Sequence, residues 1–468
     1  MDKQVGFITL CSALAVISCQ SDEGKKQPNF IIIYTDDQRY DALGANGNPV
    51  IITPEMDKQA NQGINFTSAN VIFSLCSPSR AALLTGRYGS ANGCLELNSD
   101  IHPDEVTLAQ YLRNDGYLTG LSGKWHLGAQ RDLARQPHEA GFDFAVWFWG
   151  NGTYYGRTIF DEGETVNPEI HCDLYCARRS VDFLRDAAAS GKPFFLFHNP
   201  QLPHMNGDLI WDARPETLAR YTQEEIPVTP SRLDDLSGKP PYLKNVRNLI
   251  QARNYGYPEY SAIQSHTLEY YAVITEMDEF LGEIFHALDE LGLRENTYIF
   301  FMSDNGWMLG EHGFTSKVLS YRPSVHVPFF ITGPGVSYSE NDQIVLNIDI
   351  APTIMELAGI EIPPDVHGRS LVPILDGTQA DWRDAFVYEG LGSYGGTKPG
   401  LTVYDRNFRY VVTYEDSSLS EVQFRELYDQ IRDPYEMENL AGSARHQDII
   451  SEFEKLIENH IDQIISSH

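Results

Sequence analysis

The chain has 468 residues, of which 42% are hydrophobic and 12% aromatic, and its formal net charge is −30. This is enough apolar material for a packed core, so a disordered chain is excluded, and the length favours one large domain plus a smaller one. An acidic chain offers no basic face to phosphate backbones, so nucleic acid is not an expected partner. An anionic substrate would need locally concentrated cations or a metal.

The first 19 residues, MDKQVGFITLCSALAVISC, combine an early lysine, an apolar stretch and small residues before Cys19. This pattern is typical of a secretory signal peptide over residues 1–18. The ending VISC resembles a bacterial lipobox, so residues 19–28 would be a tether that is acylated at Cys19. A plain signal peptide or a buried first strand is the alternative. No later segment is apolar enough to span a bilayer, so we expect an exported lipoprotein, periplasmic or anchored at the cell-surface membrane.

Four continuous apolar runs share one layout, in which polar side chains follow the run at once: FIIIY from residue 30, LTGLSG from 118, FFLF from 194 and YIFFM from 298. Such runs fit strands buried on both faces of a parallel sheet. Helical segments alternate with them, including one capped by Thr107 and one over residues 266–293. Because ligands bind outside the carboxyl ends of such strands, we expect one shared site. Its candidate side chains are Asp36, Asp37, Lys124, His126, His198, His204, Asp304 and Asn305.

The stretch LCSPSRAALLTG, residues 75–86, predicts a helix whose first turn holds Pro78 and which ends at Gly86. Cys76 would then lie just outside the helix N-terminus, with Arg80 about one turn inside it. A helix N-terminus beside an arginine suits a tetrahedral anion and would lower the pKa of the thiol. From these residues alone, a buried cysteine without a chemical role is the alternative.

Two stretches in the middle of the chain are less regular. HCDLYC, residues 171–176, fits either a metal site or a local disulfide between Cys172 and Cys176, although no second cysteine pair supports zinc. Between about 205 and 262 the periodicity dissolves into a proline- and charge-rich insertion. We expect this insertion to be structureless and either functional or mobile.

The pattern changes again after about residue 375, where DAFVYEG, TVYDRNFRYVVTYE and FRELYDQIRDPYE predict short antiparallel strands. From about residue 444 the pattern is helical. We therefore predict a catalytic domain over residues 29–375 and a smaller C-terminal α+β subdomain over 376–468.

The string CSPSRAALLTG resembles the complete signature of the formylglycine-dependent sulfatases, C-[ST]-P-S-R-x-x-x-L-T-G, in its cysteine form. Further features of that family follow in order, among them TDD after the first apolar run, GKWHLG, LPH, SDNG, EHGFTSK and HGRSLVPIL, so the resemblance spans about residues 28–445. It implies an α/β fold of the alkaline-phosphatase type. In that fold a central mixed, mostly parallel sheet is flanked by helices, and a smaller C-terminal subdomain carries an antiparallel sheet.

The resemblance also implies two groups that the sequence does not itself contain. A maturation enzyme would oxidise Cys76 to formylglycine, whose hydrated aldehyde has one hydroxyl to attack the sulfate ester and a second to expel sulfate afterwards. A calcium ion would be held by three carboxylates and an amide oxygen, which suit a hard cation. These ligands would be Asp36, Asp37, Asp304 and Asn305.

The remaining roles follow from the same resemblance. Arg80 would hold the formylglycine, and Lys124 and Lys317 would grip sulfate oxygens as charge develops. His126 would help to deprotonate the diol, while His204 would protonate the departing alcohol. The family pattern assigns no fixed role to two other histidines, and two more stand where relatives often carry arginine and glutamine. These four are His198 and His312, then His326 and His367.

Three functions are compatible with these residues. The leading one is a sulfatase acting on a sulfated saccharide, and the aromatic stretch FAVWFWGNGTYYG at 144–156 would either stack on sugar faces or pack in the core. The second is a phosphonate or phosphate ester hydrolase of the same superfamily. The third is a catalytically silent glycan-binding lipoprotein, which a missing catalytic residue would mark, and none is missing.

Overall fold

The computed structural model describes residues 26–128, 135–378, 381–392 and 394–466. The predicted signal peptide, residues 1–18, and most of the predicted tether, residues 19–28, lie outside the described residues. Both stay predictions. Within the described ranges, no helix combines the length and the apolar composition that a membrane span requires.

Strands and helices alternate along most of the chain. The strands are β1 (Asn29–Thr35), β2 (Ile64–Phe66), β3 (Ala69–Asn70), β4 (Leu118–Lys124), β5 (Phe144–Phe148), β6 (Ile159–Asp161), β7 (Glu164–Val166), β8 (Phe194–Asn199), β9 (Thr297–Ser303), β10 (Met308–Leu309), β11 (Thr315–Ser316), β12 (Phe329–Thr332), β13 (Ser339–Asn341), β14 (Val345–Leu346), β15 (Ala385–Gly390), β16 (Gly400–Asp405), β17 (Phe408–Tyr414) and β18 (Val422–Asp429). The α-helices are α1 (Pro54–Ala60), α2 (Cys76–Thr85), α3 (Gly89–Asn92), α4 (Leu108–Asn114), α5 (Cys172–Ser190), α6 (Pro215–Leu218), α7 (Arg247–Asn254), α8 (Tyr260–Glu290), α9 (Arg322–Val325), α10 (Ile350–Ala358), α11 (Val372–Leu375) and α12 (Gln447–His460).

The main sheet has ten strands in the order β13-β2-β12-β9-β1-β8-β4-β5-β6-β7. Its five central strands, β9 through β5 in that order, are all parallel, and antiparallel pairs flank them on both sides. All four apolar runs singled out in the sequence are central parallel strands. The predicted mixed, mostly parallel α/β sheet is therefore confirmed.

The central strands are buried on both faces. Along β1, Phe30 and Ile32 pack into one hydrophobic cluster, while Ile31 and Ile33 pack into another. This alternation explains why the run is apolar at every position, since a helix layer covers each side of the sheet. The carboxyl ends of β1, β4, β8 and β9 consequently open on one edge of the sheet.

Several helix predictions agree with the structure in detail. Thr107 caps α4 in a reciprocal capping box with Gln110, as its position before the apolar run indicates. The helix predicted over residues 266–293 is α8, which begins six residues earlier, at Tyr260, and has 31 residues.

The insertion at 205–262 is not structureless, so that expectation is wrong. It contains α6, α7 and the start of α8, joined by short 3-10 turns. Leu243, Val246 and Leu249 from this segment are buried in a cluster with Met308 and Phe314. These apolar residues are spaced too irregularly for a long helix, but together they form a small separate hydrophobic core.

Strands β15 to β18 form a separate four-stranded antiparallel sheet, as predicted for the C-terminal part. Helix α12 packs on this sheet through Phe453 and Ile457, which share a buried cluster with Leu401 and Val403. The domain boundaries 29–375 and 376–468 stay predictions.

Candidate active site

The loops that follow β1, β4, β8 and β9 meet the N-terminal turn of α2 and the loop after β11. Together they hold the ten side chains that the sequence predicts for the site. All ten are buried except His204, whose side chain keeps 13% of its surface exposed. The others are Asp36, Asp37, Cys76, Arg80, Lys124, His126, Asp304, Asn305 and Lys317.

A compact set of acidic ligand atoms lies at the centre. Asp36, Asp37, Asp304 and Cys76 each offer one potential ligand atom within 4.8 Å of the others. Asn305 joins them, because its Nδ2 donates to Asp37 Oδ1 at 2.5 Å. Asp37 has a left-handed backbone, with φ of 71°, which turns the chain sharply at the end of β1.

Two buried oxygens in this set have no hydrogen-bond partner among the described residues, Asp37 Oδ2 and Asn305 Oδ1. Buried polar atoms are nearly always satisfied in folded proteins. Three carboxylates and one amide oxygen, with two of their oxygens unsatisfied, are the donor set that a hard divalent cation prefers. The residues present therefore fit a calcium ion.

Three buried cations surround the carboxylates. Lys124 Nζ donates to Asp36 Oδ2, Lys317 Nζ donates to Asp37 Oδ1, and Arg80 Nη2 donates to Asp304 Oδ2 at 2.8 Å. Each carboxylate thus accepts a hydrogen bond from one of the three cations, and Lys317 Nζ also lies 3.7 Å from Asp36 Oδ1. This charge balance allows six ionised groups to share a buried region.

The pKa values of the carboxyl groups differ with their neighbours. Burial raises the pKa of Asp37 and that of Asp304 to about 6 each. Burial acts in the same direction on Asp36 and is the largest single influence, but Lys124 and the other nearby cations together outweigh it, so the pKa of Asp36 lies well below its usual value. Asp36 is therefore the carboxylate most firmly held in its charged form.

The thiol of Cys76 faces this cluster. Its Sγ lies 2.6 Å from Lys317 Nζ and 3.4 Å from Asp36 Oδ1. Helix α2 begins at Cys76 itself, after Leu75, so the cysteine occupies the first turn rather than the position just outside it. The helix ends where predicted, with Gly86 in the left-handed conformation at φ of 68°.

The predicted lowering of the thiol pKa is wrong. Burial, followed by the charge of Asp36, raises the pKa of Cys76 to about 12. The helix N-terminus and two lysines favour the thiolate, but the cysteine is 1% exposed and lies against a carboxylate. An unmodified thiol here is protonated at neutral pH and is a poor nucleophile.

The two candidate proton-transfer groups lie at the rim of the cluster. His204 Nδ1 lies 2.7 Å from the Met205 carbonyl, so Nδ1 carries the proton and Nε2 faces the site, 3.6 Å from Asp37 Oδ2. Burial lowers the pKa of His204 to about 3. Burial also lowers the pKa of His126 well below its usual value. Both imidazoles are neutral in the free protein.

Sequence reasoning missed two asparagines that contact these histidines. Asn98 Oδ1 lies 3.0 Å from His126 Nε2, and Asn151 Nδ2 lies 2.8 Å from His204 Nε2. Both asparagines are exposed. Neither belongs to a motif, because each reaches its histidine only through the folding of a separate loop.

The aromatic stretch at 144–156 packs mainly inside the protein. Trp147, Phe148 and Tyr154 are buried, and only the ring of Tyr155 is largely exposed, at 41%. Stacking of this stretch on sugar faces is therefore not its main role. Packing, the alternative that the sequence left open, accounts for it.

Four other histidines lie outside the central cluster. His198 Nδ1 bonds to Ser180 Oγ at 3.0 Å, and His312 Nδ1 bonds to Asp234 Oδ2 at 2.7 Å. His326 stacks on Tyr40 with ring centroids 3.9 Å apart and lines a cavity of about 350 Å³ that holds none of the ten site residues. Contacts of this kind are common in packed protein interiors, so they agree with a structural role for these three histidines. His367 Nδ1 accepts from the backbone N–H of Tyr88.

The HCDLYC stretch forms no disulfide, since Cys172 and Cys176 are both free and buried. His171, Cys172 and Asp173 approach one another closely. Both oxygens of Asp173, however, accept backbone N–H groups of Gln201 and Leu202, at 2.8 and 2.9 Å. These bonds hold the loop that leads to His204.

Comparisons with known proteins agree with this geometry. The family model described as Sulfatase matches residues 28–360, and the model described as N-sulphoglucosamine sulphohydrolase, C-terminal, matches residues 310–463. The chain is 28% identical to N-acetylglucosamine-6-O-sulfatase of Bacteroides thetaiotaomicron, over 96% of this chain and 89% of that protein. It is 27% identical to the ulvan-active sulfatase of Formosa agariphila, over 98% of this chain and 87% of that protein.

Solved structures show the same fold. A protein in complex with its substrate D-glucosamine-2-N,6-O-disulfate superposes with a TM-score of 0.83 at 26% identity, covering 94% of this chain and 99% of that one. Phosphonate monoester hydrolase from Silicibacter pomeroyi superposes with a TM-score of 0.76 at 21% identity, covering 94% and 96%. The chain belongs to the sulfatase family and is a sulfuric ester hydrolase with an alkaline-phosphatase-like fold.

Proposed function

We propose that this chain hydrolyses sulfate esters of carbohydrates, with formylglycine derived from Cys76 as the nucleophile and calcium as the metal. The observation that carries the proposal is the position of Cys76. Its Sγ contacts Lys317 and Asp36 beside buried oxygens that have no partner among the described residues. Sulfatases of this family generally use both groups.

Calcium would be held by the oxygens of four residues, and two of those oxygens have no hydrogen-bond partner in the part of the chain that the structure describes. When bound, the ion would offset the negative charge of the sulfate group. The chain itself keeps the cluster compact, since each carboxylate is tied to a lysine or an arginine. The proposed ligands are Asp36, Asp37, Asp304 and Asn305.

The nucleophile requires modification of Cys76 by a formylglycine-generating enzyme. Hydrated formylglycine supplies one hydroxyl for attack and a second that permits expulsion of sulfate. The raised pKa of the thiol supports this proposal, because an unmodified Cys76 would stay protonated and unreactive. Arg80, one helical turn from Cys76, would hold the formylglycine, and its Nη2 also donates to Asp304 Oδ2 at 2.8 Å.

The lysines and histidines would stabilise charge and transfer protons. Lys124 and Lys317 are buried ammonium groups aimed into the cluster, where they stabilise charge that develops on sulfate oxygens. His204 presents Nε2 to the leaving-group side, and a bound sulfate anion favours protonation there, so that the departing alcohol receives a proton. His126 lies on the other side, where it assists proton removal from the nucleophile.

The saccharide substrate is inferred from relatives. N-acetylglucosamine-6-O-sulfatase and the ulvan-active sulfatase both align along nearly the whole of this chain. The first residues fit a signal peptide and a lipidated Cys19. We therefore propose that the enzyme is itself an exported lipoprotein, periplasmic or at the cell surface, that meets sulfated glycans.

The test is hydrolysis by protein co-produced with a formylglycine-generating enzyme. The mass of the peptide that contains Cys76 is measured first, and then sulfate release from N-acetylglucosamine and galactose sulfates. Matched 4-nitrophenyl sulfate and 4-nitrophenyl phosphate compare the two ester classes. Faster hydrolysis of the phosphate would overturn the assignment in favour of a phosphate ester hydrolase. Tight binding of sulfated sugars without turnover, by a chain with a proven aldehyde, would establish a silent binding protein.

A further inference from the structure

A short loop contacts both candidate catalytic histidines. We call residues 149–152 the bridging loop; it follows β5 directly. Its Asn151 donates through Nδ2 to His204 Nε2 at 2.8 Å. Its Gly150 lies against the other histidine, because a Cβ at that position would come within 3.6 Å of His126 Nε2. The bridging loop therefore lies between His204, on the leaving-group side of the site, and His126, on the nucleophile side.

A buried arginine holds the bridging loop in place. Arg157 is 7% exposed, and its Nη2 donates to the carbonyls of Trp149 and Gly150, at 2.8 Å each. Its Nη1 donates to Gln201 Oε1, and Gln201 Nε2 donates to the Gly152 carbonyl at 2.7 Å. Among the ion pairs of the described residues, Arg157 has no carboxylate partner.

Burying a cation without a carboxylate partner costs free energy unless its N–H groups are hydrogen-bonded. Here every bond named above ends on the bridging loop or on the segment that leads to His204. The guanidinium also stacks 3.9 Å above the centroid of the Phe148 ring. The arrangement fixes where the Asn151 backbone lies, while its side chain stays exposed.

The position of Asn151 determines what its amide can reach. A leaving-group oxygen that receives a proton from His204 must lie about 3 Å from Nε2. Asn151 Nδ2 lies 2.8 Å from the same atom. Nε2 has one hydrogen-bonding position, so when it carries the proton for the leaving group Asn151 Nδ2 can no longer donate to it, and the amide beside it is free to bond a group of the substrate instead. An amide both donates and accepts, which matches a sugar hydroxyl next to the sulfated carbon.

We propose that Asn151 is a specificity-determining residue that hydrogen-bonds a sugar hydroxyl next to the sulfated carbon, with Arg157 as the positioning residue of its loop. This inference rests on the proposed sulfatase function. It assigns to the bridging loop a preference for carbohydrate over aryl leaving groups. Simple aryl sulfates carry no hydroxyl at that place.

Asn98 provides a matched comparison. It is also exposed and also contacts a histidine Nε2, but that histidine is His126, on the nucleophile side. The Asn98 backbone N–H bonds to Ser77 Oγ at 3.0 Å, so the residue is anchored to α2 rather than to the bridging loop. Its loss should slow all substrates in the same proportion.

The experiment compares kcat/KM for wild type, Asn151→Ala and Asn98→Ala. The substrates are the sulfated hexose that wild type hydrolyses fastest, the deoxy analogue that lacks the hydroxyl next to the sulfated carbon, and 4-nitrophenyl sulfate. Asn151→Ala should lower kcat/KM about 10- to 100-fold on the hexose and less than about threefold on 4-nitrophenyl sulfate, the effect of one lost hydrogen bond. Asn98→Ala should lower both equally.

The deoxy analogue separates direct contact from an effect through His204. If Asn151 bonds the hydroxyl, wild type loses activity on the analogue while Asn151→Ala loses nothing further, so the two changes are not additive. Additive losses, or equal losses of Asn151→Ala on hexose and aryl sulfates, would overturn the inference. If Asn151→Ala does not fold by circular dichroism, Asn151→Ser is judged by the same ratios. Wild type that releases sulfate neither from any of the sulfated hexoses screened nor from 4-nitrophenyl sulfate would instead contradict the proposed function.

Discussion

The ion pair between Arg80 and Asp304 offers a direct test of how the reaction centre is held together. Arg80 Nη2 lies 2.8 Å from Asp304 Oδ2, and the two side chains are 1% and 0% exposed. In Arg80→Met the guanidinium is replaced by an apolar chain of comparable reach. The Asp304 carboxylate is then left in a buried region without its main counter-charge.

Breaking a buried pair by removing one partner costs about 3–5 kcal/mol of unfolding free energy, because the remaining charge is uncompensated. Protonation of Asp304 would relieve this cost, since burial already raises its pKa to about 6. The measurement therefore belongs at about pH 8, where the carboxylate is charged. If Asp304 is a calcium ligand, the cost should shrink when calcium is added, because the ion supplies part of the missing positive charge.

The assay is urea unfolding of wild type and Arg80→Met, each in EGTA and in excess calcium, with refolding checked by dilution. Arg178→Met is the control, because its pair with Glu283 at 3.2 Å is 55% and 38% exposed. Exposed pairs contribute about 0–1 kcal/mol. Equal small losses in both variants would show that the buried pair does not form in solution. A large loss in Arg80→Met that calcium leaves unchanged would refute the role of Asp304 as a ligand.

Three further predictions follow from individual residues. Cys76→Ala should abolish sulfate release while costing less than about 1.5 kcal/mol of stability, because it removes one small side chain; residual turnover would exclude Cys76 as the source of the nucleophile. His204→Ala should reduce kcat more on sugar sulfates than on 4-nitrophenyl sulfate, whose leaving group needs no proton; equal reductions would contradict its role as general acid. Asp278 accepts the backbone N–H groups of Glu55 and Met56, and burial raises its pKa from 3.8 to about 7. The folded state therefore binds its proton more tightly, so its contribution to stability should fall as pH rises through that window. Asp278→Asn should lose this slope in unfolding experiments, and an unchanged slope would assign it to other groups.

The site could be located from the sequence because its chemistry is concentrated at strand ends. Asp36, Lys124 and Asp304 each follow an apolar run, and parallel strands bring their carboxyl ends to one edge. That rule depends only on local pattern and on sheet topology. The rule therefore predicts that these side chains lie close together, even when no contact between them is known.

Other features depend on long-range packing and left no local pattern. The thiol pKa of Cys76 was predicted in the wrong direction, because the helix terminus is visible in sequence whereas complete burial beside Asp36 is not. Asn98 and Asn151 lie in loops of ordinary composition, and their contacts arise from anchors such as Arg157. The insertion at 205–262 has an irregular pattern because its buried residues form only half of a small core, whose other half comes from the distant segment that contains Met308 and Phe314.

The balance of buried charge explains why a chain with a net charge of −30 can bind an anion. Around Cys76 three carboxylates face three cations, so the protein contributes no excess charge of its own there. On the proposed function, calcium alone would leave this region positive, and a sulfate ester alone would leave it negative. Each therefore lowers the cost of burying the other, and their binding should be positively coupled. The anion can bind because the charges around Cys76 are balanced locally, although the net negative charge of the whole molecule repels it.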